Sequence, residues 1–262
     1  MEKSIAFEQC KRRRILNVVE MSEGRAYTEV IFLGRLAHPN IIRLLGYCSD
    51  EQESLLVYEY MQNRSFDRLL FTNATSLSWL TRLMIMIGVA RGLAYLHSST
   101  PQVILRGFKT SDIMLDQDFN AKLGDFGLAR RGPEIGETHV STRVMGTYGY
   151  AAPEYITTGR LSARSDIYGF GVVLLETVTG LRAMDQNRPS EHHNLVEWKS
   201  PMLARRNKLK GIMDPCFGQN YPLEAASKYA KLTLKCLSME PRLRPSSEEV
   251  LQSLEQIYSI NK

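Results

Sequence analysis

Cysteine is scarce in this chain and never paired in sequence. Cys10, Cys48, Cys216 and Cys236 are scattered over 262 residues with no C-x-x-C spacing. That pattern speaks against a disulfide framework and reads as reduced, mostly buried thiols of a cytosolic protein. The five histidines show no metal-ligand spacing, and His192-His193 reads as a surface pair. There is no signal-peptide pattern, and the reading finds no apolar run long enough to span a bilayer. Residue 2 is Glu, not the Gly that N-myristoylation requires. No repeat and no low-complexity linker interrupts the sequence. What remains is a soluble, cytoplasmic globular protein whose membrane association, if present, is peripheral and made through partners.

Length and composition fit that class. A chain of 262 residues suits one large domain or two lobes around a substantial core. The charge balance is 33 − 28 = +5, and the basic residues are mostly dispersed, so nucleic-acid binding is not indicated. The one dense run, Lys11-Arg12-Arg13-Arg14, reads as a solvated basic strand or loop, with an anionic membrane surface or a nucleic acid as the alternative.

Periodicity changes along the chain. Ser22 to Ala37 carries apolar residues at helical spacing, and His38-Pro39-Asn40 closes that helix because a proline disfavours helix in the residue before it. Ile41 to Tyr47 and Ser54 to Tyr60 are β-rich runs around a polar turn, hence a hairpin in a small antiparallel sheet. Leu77 to His97 has helix period and a wide apolar face. Val103-Ile104-Leu105 and Ile113-Met114-Leu115 are short buried strands. Ser165-Asp166 is read as the cap of a helix from Ile167 to Gly180, and two more helices fit Leu223 to Leu237 and Ser246 to Ile257. A β-rich first fifth followed by helices is an α+β arrangement with two lobes.

The chemistry-bearing motifs come in a fixed order. They are Leu105-Arg106-Gly107, Lys109, Asp112-Ile113-Met114-Leu115-Asp116, Asp125-Phe126-Gly127 and Ala152-Pro153-Glu154. That order matches the signature set of the catalytic half of protein kinases. Longer stretches narrow the match: His38-Pro39-Asn40 before Leu45-Gly46-Tyr47-Cys48, Leu56-Val57-Tyr58-Glu59-Tyr60-Met61, and Ser141 through Tyr155. On these residues, and on Asn194 to Trp198 and Arg244-Pro245, the chain resembles the receptor-like cytoplasmic kinases of plants from about residue 22 to its end.

The resemblance implies an α+β, bilobal protein-kinase-like fold. It has a truncated, small β-rich N-lobe over residues 1–61 and a mainly helical C-lobe over 62–262. It implies ATP and magnesium as cofactors. Glu29 matches the glutamate that pairs with the ATP-contacting lysine. Tyr58 matches the gatekeeper, and Glu59 and Met61 the hinge that meets adenine. Asp125 and Asp112 fall at the metal ligands, and Lys109 at the cation that steers the γ-phosphate. Thr142 matches an activation-loop phosphosite, and Thr147 lies in the loop that receives a peptide. Arg106 is matched to a phosphate on Thr142, or else to a nearby carboxylate or carbonyl. Glu154 with Arg244 is a structural ion pair, and Asp166 braces the catalytic-loop backbone. The implied partners are other proteins: active kinases, receptor kinases or immune receptors.

Four departures cut against catalysis. No G-x-G-x-x-G precedes Glu29, and few residues remain there for the strands that carry such a loop. The lysine-bearing strand is not legible; Lys11 is the candidate, with Arg13 or Arg14 as replacements. Gly107 stands where the catalytic Asp belongs and can neither accept nor orient a substrate proton. Asp112 replaces a metal-binding Asn, a mild change because a carboxylate is also a hard oxygen ligand. The sequence therefore reads as a pseudokinase, a scaffold, decoy or allosteric partner of an active kinase. These losses also leave ATP and magnesium binding in doubt, and Asp125-Phe126-Gly127 persists either for metal contact or for packing. The alternative is a Ser/Thr kinase with residual activity.

Overall fold

The computed structural model describes residues 16–49, 54–72, 77–134 and 136–260, with the side chains of Leu16 and Asn17 excepted. Lys11 and the basic run around it lie outside the described residues.

A small sheet and one helix form the first lobe. Strands β1 (Leu16–Met21), β2 (Leu44–Ser49) and β3 (Ser54–Glu59) make an antiparallel sheet in the order β1-β3-β2. In β3 alternate residues point inward, so Leu56 and Tyr58 are buried while Leu55 and Val57 are half-exposed. Helix α1 (Glu23–Leu33) follows β1 after one residue and buries Ala26, Glu29 and Leu33, positions that fall on one helical face. The helix ends at Leu33, not Ala37. The expected strand from Ile41 likewise begins later, at Leu44. Buried Ile41 and Ile42 instead bond to Leu123 of the second lobe, with Ile42 N–H donating to its carbonyl at 2.9 Å.

The second lobe is helical. Helix α2 (Phe66–Leu70) leads to α3 (Trp79–Ser98), which Ser78 caps by accepting from Thr81 N–H at 3.1 Å. By length and composition α3 is apolar enough to cross a membrane, which corrects the expectation that the chain holds no such run. Its apolarity belongs to the core: 67% of that stretch is buried, mainly against helix α8 (Ser247–Ser259). Short strands β4 (Val103–Ile104), β5 (Ile113–Leu115), β6 (Ala121–Leu123), β7 (Arg130–Arg131), β8 (Val140–Ser141) and β9 (Arg160–Leu161) pair as β4-β7, β5-β6 and β8-β9.

Helix α4 (Pro153–Thr158) lies between β8 and β9 in sequence, and α5 (Ala163–Thr179), α6 (Leu195–Leu203) and α7 (Leu223–Cys236) complete the lobe. Helix α5 starts four residues before the expected Ile167. Ser162 is its N-cap and Ser165 returns the bond from the third helical position. That frees Asp166 to face another loop. The α+β, bilobal expectation holds, with a β-sheet lobe and a helical remainder.

Candidate active site

One hairpin places both acidic side chains of the cleft. Ile113 pairs with Leu123 across β5-β6, and the turn between is tied by Asp116, whose carboxylate accepts from Asp118 and Asn120 N–H at 2.9 Å each. Asp112 precedes the hairpin and Asp125 follows it by one residue, so the two arrive at the same mouth. Gly124 N–H bonds the Asp112 carbonyl at 2.8 Å and fixes the pair. Above them lies a cavity of about 630 Å³, lined by Val19, Met21, Ile42, Tyr58, Met61 and Met114 among others. That size and lining suit the base of a nucleotide. Tyr58 and Met61 are among its lining residues. The Glu59 carboxylate pairs with Lys122 at 2.7 Å and accepts from Arg43 N–H at 2.8 Å.

Strand β1 carries no cation in its sequence Leu-Asn-Val-Val-Glu-Met. It runs straight into α1, and its alternation turns Val19 and Met21 to the cavity. A thioether therefore occupies the cleft-facing position next to the helix. Glu29 is unpartnered as well. Its side chain is fully buried, and neither oxygen has a hydrogen-bond partner; the Tyr58 hydroxyl is buried and unpartnered beside it. Burial raises the Glu29 carboxyl to about 7, and the charge on Asp125 adds to this. The nearby backbone of Phe126 and Gly127 and the Tyr58 hydroxyl moderate the rise without reaching bonding geometry.

This has a measurable consequence. A carboxyl raised from about 4.5 to about 7 binds more protons folded than unfolded across that window. Stability is then lost as pH climbs from the lower value through the upper one. At ~1.4 kcal/mol per pKa step, the full penalty is on the order of 3 kcal/mol. Glu29→Gln removes it. The melting temperature of the variant minus that of the wild type grows between about pH 5 and pH 8. A difference that stays flat over that range contradicts this account. Asp112 and Glu176, also raised to about 7 by burial, follow the same sign and cancel in the comparison.

The acidic residues at the mouth are both engaged. Arg25 Nη2, from the first turns of α1, donates to both oxygens of Asp125 at 2.7 and 2.8 Å. Lys109 Nζ donates to Asp112 at 2.6 Å and stands 3.9 Å from Asp125. Phe126 is fully buried beneath. Gly107 brings no side chain to the loop, and the space beside it is close-packed: a Cβ built there would meet Gly146 Cα at 3.3 Å and Leu128 Cδ1 at 3.6 Å. Among the described residues, no carboxylate lies within 4 Å of that point.

The loop at Gly107 is held firmly. Asp166, from α5, accepts from Leu105 N–H at 2.9 Å and Arg106 N–H at 3.0 Å, and bonds His97 Nε2 at 3.0 Å. These bonds hold Arg106 at φ +72° and offset the cost of that left-handed backbone. Its guanidinium donates to the Tyr155 hydroxyl at 2.7 Å, to Thr142 Oγ1 at 2.9 Å and to the Arg143 carbonyl. Of the alternatives for Arg106, the nearby carbonyl is the one the structure shows, and the same guanidinium also reaches the unmodified Thr142 hydroxyl. The Thr147 carbonyl accepts from Tyr150 N–H at 3.2 Å in the turn that follows. Arg244, fully buried, donates to both oxygens of Glu154 at 2.7 Å, to the Ser238 carbonyl and to the Arg164 carbonyl.

Sequence reasoning missed Met21 and Arg25. Arg25 had a readable signal, since it sits four residues before Glu29 and hence on the same helical face.

A two-lobed fold with this hairpin, loop and ion pair is that of a protein kinase. The protein kinase domain family model matches residues 2–254, and the chain belongs to that family. Among curated proteins it is 55% identical to an EPD1-interacting receptor-like cytoplasmic serine/threonine-protein kinase of Nicotiana benthamiana, over 89% of this chain and 50% of the relative. It is 52% identical to the probable serine/threonine-protein kinase PBL8 of Arabidopsis thaliana, over 92% of this chain and 60% of the relative. It is 51% identical to receptor-like cytoplasmic kinase 176 of Oryza sativa subsp. japonica, over 87% and 59%. These relatives support its place with the receptor-like cytoplasmic kinases. The chain spans about half to three-fifths of their length.

Proposed function

We propose that this chain is a pseudokinase: a kinase-fold protein of plant receptor-kinase signalling that transfers no phosphate and acts as scaffold, decoy or allosteric partner of an active kinase. The observation that carries the reading is the bare glycine at 107, with no carboxylate among the described residues within 4 Å of where its Cβ would lie. Met21 in the cleft and the orphaned Glu29 support it, because among the described residues strand β1 offers no cation to the phosphates and Glu29 has no hydrogen-bond partner. A positioned base supplies ~10² to 10⁴ in rate, and a lost electrostatic donor costs a further ~10² to 10³. Losses of this size move a turnover of ~1–100 per second to the edge of detection.

The activation segment keeps its shape around Arg106, Thr142 and Thr147, which suits a surface read by another protein. The cytoplasmic setting follows the names of the relatives, and membrane contact is made through partners. The second reading, a Ser/Thr kinase with weak residual activity, is favoured by one feature. Asp125 holds a left-handed backbone at φ +53° over a buried Phe126, so this motif is assembled, not collapsed.

Phosphotransfer from radiolabelled ATP with magnesium or manganese to a generic Ser/Thr acceptor tests the proposal. The expected result is incorporation indistinguishable from an Asp125→Ala control. Turnover that the control lacks sinks it.

A further inference from the structure

Asp125 is already occupied. Two charge-assisted bonds from one guanidinium nitrogen cover both of its oxygens, at 2.7 and 2.8 Å. The donor comes from α1, one helical turn before Glu29, and lies across Gly127. A Cβ at residue 127 would fall 2.8 Å from Arg25 Nε and 3.2 Å from Arg25 Cβ. The bare glycine is therefore the seat that lets the arginine reach. The other acidic side chain at the mouth is tied too: Asp112 accepts from Lys109 Nζ at 2.6 Å and from its backbone N–H at 3.2 Å.

We propose that Arg25 is a built-in cation that takes the place of a divalent ion on Asp125 and so excludes metal from this cleft. Among the described residues the cleft sets Glu29, Asp112 and Asp125 against Arg25 and Lys109. With Met21 on the strand, Arg25 is the cation by which the sheet lobe engages the acidic mouth. Magnesium asks for near-ideal octahedral oxygen geometry and sheds water reluctantly. To bind here it must first break the pair that also holds Asp125 at φ +53°. This inference goes beyond the reading above and is independent of it. It concerns what Asp125 holds, not whether phosphate moves.

The size of the effect is bounded. The Arg25 side chain is 44% exposed and Asp125 28% exposed. A pair this open shifts divalent affinity by about tenfold, not by many orders.

The test is a manganese titration of the purified protein, with and without ADP, followed by the loss of the free-ion electron paramagnetic resonance signal. Arg25→Ala is expected to bind manganese about tenfold more tightly than wild type. Arg25→Lys stays close to wild type, because it keeps a cation. Adding Asp125→Asn to Arg25→Ala removes the gain, which assigns it to Asp125. Equal affinities in wild type and Arg25→Ala, including no binding to either, overturn the proposal. So does a gain that survives Asp125→Asn. Tight one-to-one manganese binding by the wild type overturns it without any variant.

Discussion

Gly107→Asp alone leaves phosphotransfer at background, whereas Gly107→Asp with Met21→Lys raises it by at least ~10²-fold at saturating magnesium. On this account two groups are missing, among the described residues, from one transition state. A base restored at residue 107 meets nucleotide whose phosphates still lack a cation from strand β1. Gly107 has no positive φ, and the nearest neighbour of an added Cβ, Gly146 Cα at 3.3 Å, must yield by a few tenths of an ångström. A lysine ammonium that reached Glu29 would meet two buried, unbonded oxygens. Groups acting on one transition state are not additive, so the double variant exceeds the product of the singles. A cheaper check accompanies it. Met21→Lys by itself gives Glu29 its counter-ion and flattens the pH dependence of stability described above. A large rate gain from Gly107→Asp alone would show that the phosphates are already well held, and would favour the reading of residual activity.

Arg244→Ala lowers the melting temperature by on the order of 10 °C. Arg244 is fully buried and its bonds to Glu154, Ser238 and Arg164 join α4, α5 and the loop before α8. Removing one partner strands Glu154 and two carbonyls. Breaking a buried pair in this way costs ~3–5 kcal/mol, and a domain of this size loses ~2–4 °C per kcal/mol. Glu154→Gln keeps the shape and one acceptor, so its loss is smaller and it guards against a variant that fails to fold. Thermal unfolding followed by circular dichroism reads both. A drop under ~3 °C for Arg244→Ala contradicts the structural role of this pair.

Much of this was legible in the chain. The ordered motifs from Leu105 to Glu154, with Arg244 beyond them, fix the second lobe because each holds its spacing to the next. The hairpin that delivers Asp112 and Asp125 was visible as a polar turn between two apolar triplets. The helix start at Ala163 was not, because Ser165 and Asp166 look like caps. In the fold Ser165 is the third-position partner of Ser162, and Asp166 serves the loop at Leu105. The candidates for the ATP-contacting cation, Lys11, Arg13 and Arg14, lie outside the described residues. The first described strand, Leu16–Met21, carries no cation. The helical spacing of Arg25 from Glu29 put it on the cleft-facing side, but its partner is 100 residues away, and that spacing alone does not name Asp125.

The intact mass of the protein made in bacteria and purified without phosphatase treatment tests the central claim most directly. The Thr142 hydroxyl lies at Arg106 of the loop, so a working site would have acceptor hydroxyls within its own chain. The account predicts a single unphosphorylated species. Phosphorylated species that disappear in the Asp125→Ala variant would contradict it.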